Sequence, residues 1–173
     1  MIEITTDKGQ LHSLELKLLS LQGEKVTPLL RDAAKRAATH AKKVGKQRVR
    51  TIYTIDGSSI STAIKGIRSI GLGAELLIAG PRKSVKHYKA RQNKTGVFVS
   101  VKKGSGNTVG RSFAYNSTFF HRVSKSRLPI KPLYGPAVPQ LFENPSIQSE
   151  LEQAALNKYE ERVAHELSRI IGG

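Results

Sequence analysis

The stretch RLPIKPLYGPAVPQLF, Arg127 to Phe142, sets Pro129, Pro132, Pro136 and Pro139 among large apolar residues. Each proline fixes φ at about −65° and removes a backbone donor, so a run spaced this way predicts neither a helix nor a central strand. The chain here is expected to be extended and stiff. Its apolar content, Leu128, Ile130, Leu133, Tyr134, Val138, Leu141 and Phe142, is too high for a solvated linker and calls for cover.

The charge pattern is the second constraint. The 29 Lys and Arg outnumber the 13 Asp and Glu for a formal charge of +16, which points to a polyanionic partner, nucleic acid first. Between Asp32 and Asp56 there is no acid but seven bases, and from Leu76 to Phe142 there is again no acid but thirteen bases. From Glu143 onward the sign reverses, with six Glu against Lys158, Arg162 and Arg169. The chain contains no cysteine, which excludes disulfides and thiolate metal sites and suits a reducing compartment. MIEITTDKGQ lacks the features of a signal peptide, and no apolar run approaches the roughly 18 residues of a membrane span, so no membrane partner is expected.

Periodicity divides the chain into elements. MIEITT suits a short strand, and Leu11, Leu14, Leu18 and Leu21 repeat at helical spacing up to Gly23, although Leu14, Leu16 and Leu18 also alternate. A clearer helix is predicted from Thr27 to about Gln47, with Thr27 as N-cap and Pro28 at its first position. Val26, Leu30, Ala33, Ala37, Ala41 and Val44 form one stripe, opposite Arg31, Lys35, Arg36, Lys42, Lys43 and Lys46. Ser58 to Ile70 reads as a shorter helix ended by GLG at 71–73. ELLIAG at 75–80, GVFVSVKK at 96–103 and RSFAYNSTFFHRV at 111–123 read as three or four antiparallel strands, with GSGN at 104–107 a hairpin tip. Asn144 and Pro145 open a terminal helix with Glu in its first turn and Ile147, Leu151, Ala154, Tyr159, Val163, Leu167 and Ile170 on its apolar side. The expected class is α+β: a small antiparallel sheet with a basic N-terminal helix, a proline-rich extended arm and a long C-terminal helix. One domain is expected, residues 1–142 as a basic body carrying the arm at 127–142, and 143–173 as its acidic helix.

Catalytic and metal chemistry find little support in the residues. There is no HExxH and no GxSxG, and the five histidines are scattered, Glu161 and His165 being the nearest to a ligand pair. The acid-free middle leaves no paired carboxylates unless Asp56 or Glu75 is recruited. GSGNTVG at 104–110 has the look of a phosphate loop, but a strand-like segment follows where a dinucleotide or P-loop site needs a helix. The expectation is no enzyme, no catalytic residue, no metal and no cofactor.

The basic runs KKVGKQRVR at 42–50 and PRKSVKHYKARQNK at 81–94 point instead to sequence-blind contact with double-stranded DNA. The candidate DNA-facing bases are Lys42, Lys43, Lys46, Arg48, Arg50, Lys83, Lys86, Lys89 and Lys94. A solvated face and a membrane-surface helix at 27–47 are the competing readings, the latter weakened by an apolar stripe of mostly alanine. Tyr88 is read as a core or edge residue rather than a base-stacking platform.

LPIKPLYGPAVPQLF closely resembles the LPI-x-x-LYGPSVPQM signature of tailed-phage minor tail proteins of the protein Z, or tail-completion, family, with Ala137 in place of serine and Leu141 in place of methionine. The basic helix, RTIYTI at 50–55 with the short helix after it, and SFAYNSTFFHRV follow in the same order, and the resemblance spans roughly residues 25 to 145. It implies a virion protein of the neck, assembled in the host cytoplasm, forming a ring, a hexamer by resemblance, around the DNA passage and contacting neighbouring neck and tail proteins. The alternative is a non-virion, sequence-nonspecific nucleic-acid-binding protein; a phage-encoded nuclease is a third. In a ring the arm would lie on a neighbour, its prolines having reduced the entropy cost of docking; the alternative is an arm packed on its own subunit's sheet. Leu133, Tyr134, Gly135, Pro136, Val138, Pro139 and Leu141 are the candidate subunit-interface residues, with Leu133, Tyr134, Val138 and Leu141 expected to be buried. Gly135 is expected either in a turn with positive φ or held extended by Pro136.

Overall fold

The computed structural model describes residues 23–171; the strand and leucine repeat read in the first 22 residues lie outside that range. The fold is α+β, with an N-terminal helix, a long C-terminal helix and small sheets whose strand pairs are all antiparallel. The chain divides into two compact units, the first built from residues up to Gly45 with Ile64–Ile78 and Glu143–Gly173, the second from Lys46–Ala63 and Ala79–Phe142. No described helix is long and apolar enough to cross a membrane.

Helix α1 spans Gly23–Ile52. It starts before Thr27, so Pro28 lies inside it rather than at its first position. A proline this near the amino end removes one hydrogen bond at the second turn, a loss offset by the neighbouring Val26, Leu30 and Ala33, all buried. The helix also outruns Gln47, because Val49 continues the buried stripe of Ala37 and Ala41. It ends where Thr54 N–H donates to the Val101 carbonyl and Lys103 N–H to that of Ile52.

In unit 1, Val26, Leu30, Ala33 and Val163 form a core cluster on which Leu29, Leu72, Tyr159 and Leu167 pack. The segment read as helix from Ser58 to Ile70 is a helix only to Ala63: α2 spans Gly57–Ala63, and β1, Ile64–Ile70, pairs with β2, Gly73–Ile78. The isoleucines at 64, 67 and 70 have helical spacing but are β-branched, and they lie in a two-stranded ladder with a bulge at Ile64/Gly66. Arg31 Nε donates to the Gly71 carbonyl at 3.3 Å and holds the hairpin turn to α1. The terminal helix α4, Pro145–Ile171, opens as expected, with Ser146 N–H donating to Asn144 Oδ1 at 3.1 Å. Its first turn contains no Glu, and its buried positions are Ile147, Leu151, Ala155 and Val163, with Ala154 beside the stripe. His165 lies 3.6 Å from Glu166, while Glu161 pairs with Lys158.

Unit 2 contains eight short strands in three sheets. In the first, β3 (Arg82–Ser84) pairs with β10 (Tyr134–Ala137); in the second the order is β4 (Lys89–Asn93), β5 (Gly96–Ser100), β6 (Asn107–Gly110); in the third it is β7 (Ser112–Tyr115), β8 (Thr118–Arg122), β9 (Ile130–Pro132). Asn116 and Ser117, both at positive φ, close the β7–β8 hairpin as a two-residue turn. GSG at 104–106 lies in the connection of the β5–β6 hairpin, as the sequence suggested.

The proline arm is more regular than its composition implies. Pro132 ends the edge strand β9, and Pro139 stands in the first turn of a short helix α3, Val138–Phe142, where its missing N–H would have had no helical partner. Between them Leu133 links β8 to the Val85–His87 turn: its N–H donates to the Phe119 carbonyl and its carbonyl accepts from the Val85 N–H. The arm is therefore extended only up to Ala137.

Candidate nucleic-acid interface

Unit 2 holds sixteen of the 29 Lys and Arg but one of the 13 Asp and Glu, so it carries a formal +15 of the chain's +16. That lone carboxylate, Asp56, is engaged locally. It caps α2: Oδ1 accepts from the Ser59 N–H at 2.5 Å and from the Ser58 hydroxyl at 2.8 Å. Oδ2 lies 2.7 Å from His87 Nδ1 and accepts from the Ser59 hydroxyl at 3.1 Å. Burial alone would raise the Asp56 carboxyl, but the hydrogen bonds from Ser59, Ser58 and His87 outweigh it and hold the pKa at about 2, against an ordinary 3.8.

Asp, His and Ser in mutual contact invite comparison with a nucleophilic triad. Here, however, Ser59 Oγ and Asp56 Oδ2 approach the same ring nitrogen, His87 Nδ1, at 3.1 and 2.7 Å. A relay needs the serine on the opposite nitrogen, and Ser59 is buried. The cluster therefore acts as a helix cap that ties the loop before α2 to the Val85–His87 turn, where Asp56 N–H also donates to the His87 carbonyl at 2.9 Å. Among the described residues no three His, Asp or Glu side chains cluster as a metal ion would need.

Of the candidate bases, Lys43, Arg50, Lys86, Lys89 and Lys94 are exposed, and Lys42, Lys46, Arg48 and Lys83 are half-buried. Lys46 Nζ donates to Ser61 Oγ at 3.0 Å, which holds it to α2. Lys42 and Lys43 belong to unit 1, the other seven to unit 2. One grouping was not evident from charge runs: Lys89 and Lys103 line the same open pocket with Thr54, Ser100 and Gly104. Its sequence signals were Lys89, within the basic run 81–94, and the glycine-rich stretch beginning at Gly104.

Val138 and Leu141 are buried within the single chain, α3 packing against α2 and β10, so their burial requires no neighbouring subunit. Leu133, Pro136 and Pro139 are half-buried. Tyr134, expected to be buried, is 51 % exposed, because Gly135 and Ala137 are the inward positions of β10 and Tyr134 falls on the alternate face. Gly135 is buried and its φ is not positive; the small residue is required by Tyr88, whose ring lies where a side chain at 135 would go. Tyr88 is core, its hydroxyl donating to the Pro136 carbonyl at 2.8 Å. Burial, then the charges of Asp56 and Tyr53, push its phenol up to about 12. Leu128, 67 % exposed, remains uncovered with Val123 and Ile130.

No protein family, curated protein or solved structure matches this chain.

Proposed function

We propose that the chain is a structural subunit that contacts double-stranded DNA through its phosphates without reading sequence, in the manner of the tail-completion proteins that its proline signature resembles. The observation that carries the reading is the charge of unit 2, sixteen bases around one carboxylate that is already consumed by a helix cap. Such a field favours polyanions and discriminates poorly among sequences. In this reading the chain forms a closed ring, a hexamer by resemblance, at the junction of phage head and tail. The exposed Val123, Leu128, Ile130 and Tyr134 are what a neighbouring subunit would cover.

The test combines native mass spectrometry with duplex binding across salt concentrations. A discrete ring is expected, and Lys83→Gln, Lys86→Gln and Lys94→Gln together should flatten the log–log salt slope by about 0.9 for each phosphate that these lysines neutralise. A monomer that binds duplex tightly would support a free nucleic-acid-binding protein instead. An unchanged slope would make these bases an ordinary solvated face.

A further inference from the structure

We infer that the pocket between Thr54, Lys89, Ser100, Lys103 and Gly104 is a phosphate-binding site, occupied by a backbone phosphate and its sugar when duplex DNA lies on unit 2; this rests on the reading of that unit as a polyanion surface. The pocket has a volume of about 370 Å³, at the lower end of the roughly 300–1,000 Å³ of small-ligand sites. All its lining residues belong to unit 2.

The frame is braced before any ligand arrives. Thr54 Oγ1 donates to the Ser100 carbonyl at 2.5 Å and accepts from the Lys89 N–H at 3.1 Å, so one hydroxyl fixes the backbones of β4 and β5. Lys89 is paired across the ladder with Ser100. Ser100 Oγ lies within hydrogen-bond reach of the Lys102 and Ser105 carbonyls, at 2.9 and 2.6 Å, and holds the following turn. In that turn Ser105 N–H donates to the Lys102 carbonyl, and Gly104 stands third with φ +76°, as a type II turn requires. Left-handed residues in tight turns are the backbone elements from which anion-binding concavities are built.

Lys89 and Lys103 carry like charge and line one small pocket, and among the described residues no carboxylate pairs with either. Asp56, the only acid of the unit, is committed to Ser58, Ser59 and His87. An anion would offset that like charge without rearranging the frame. A phosphate suits such a pocket because its oxygens can accept charge-assisted hydrogen bonds from two cationic donors.

The test is lysine acetylation of the full chain in its native oligomeric state, read by mass spectrometry, with a short random-sequence duplex and separately with inorganic phosphate. Exposed Lys35 and Lys125, neither of them a candidate DNA-facing base, are internal references. The duplex should protect Lys89 and Lys103 more than the references, and Lys89→Gln with Lys103→Gln should lower the salt slope by about 0.9, one phosphate. Both lysines are exposed, so the variant should unfold at the wild-type temperature. Protection by inorganic phosphate but not by duplex supports the phosphate site with a free anion as its ligand and refutes the DNA reading. Duplex binding that leaves Lys89 and Lys103 as reactive as the references, with phosphate equally without effect, overturns the pocket while the charged-surface reading stands.

Discussion

A methyl group at Gly135 would stand 2.7 Å from Tyr88 Cε2, 3.0 Å from Cδ2 and 3.3 Å from Cζ. The ring cannot swing aside cheaply, because it is buried and its hydroxyl is tied to the Pro136 carbonyl at 2.8 Å. Gly135→Ala is therefore an overpacking mutation, expected to cost about 1–3 kcal/mol. At about 2–4 °C per kcal/mol for a chain of this size, the thermal midpoint should fall by roughly 2–12 °C. The mechanism is separable from backbone strain, since φ at Gly135 is not positive. Tyr88→Leu removes the ring and its hydroxyl, so adding Gly135→Ala in that background should cost much less than in the wild type. Urea denaturation of the four proteins gives the coupling, expected at about 1–2 kcal/mol. Additivity within about 0.5 kcal/mol would refute the packing account and return the glycine requirement to its backbone.

The Asp56 carboxyl, held at about 2 in the fold against 3.8 ordinarily, contributes stability that is present above pH 4 and lost as pH falls towards 2. The shift corresponds to about 2 kcal/mol, discounted to about 1 for a side chain 38 % exposed and screened by solvent; Asp56→Asn should remove this part of the acid dependence in urea titrations between pH 5 and pH 2. Within the arm, Tyr134→Ala should leave the unfolding free energy in urea within about 0.5 kcal/mol of wild type, whereas Val138→Asp places a charge in the chain's own core and should abolish the folded circular-dichroism signal. A Val138→Asp variant that stays folded as a monomer would move that residue to an interface.

What was legible in the sequence were features that local spacing determines. The stripe Val26, Leu30, Ala33, Ala37, Ala41 and Val44 predicted the buried face of α1, Val44 alone being half-buried, and Asn144 before Pro145 predicted the start of α4. The segment from Ile64 to Ile70 misled because three isoleucines at a spacing of three satisfy a helix template, while its partner strand, Gly73–Ile78, is visible only once the ladder forms. The arm misled differently: a rule about helix interiors was applied to Pro139, which sits in a first turn. Tyr88 and Gly135 are far apart in sequence, and nothing local to either announces their contact. The same holds for the pocket, since charge runs single out Lys89, but only the β4–β5 register and the turn after β5 set Lys103 and Gly104 beside it.

Concentrating the formal charge in one unit has an energetic consequence. Like charges destabilise a compact state, and the one carboxylate that might have relieved them is used to cap α2 and hold the Val85–His87 turn. Its lone pairs are taken by Ser58, Ser59 and His87, so it offsets the lysines only through its charge and not by a direct ion pair. The Asp56 charge still counts in the field of unit 2, but one carboxylate among sixteen bases leaves a formal +15 that is available to an external anion. Binding and stability are then linked: an anion that binds the folded state alone adds about 2.7 kcal/mol at a hundred times its dissociation constant. That is comparable to the whole contribution of a buried core side chain, about 1.5–3 kcal/mol. On the proposed reading, DNA is both the ligand of unit 2 and the counterion that its composition lacks.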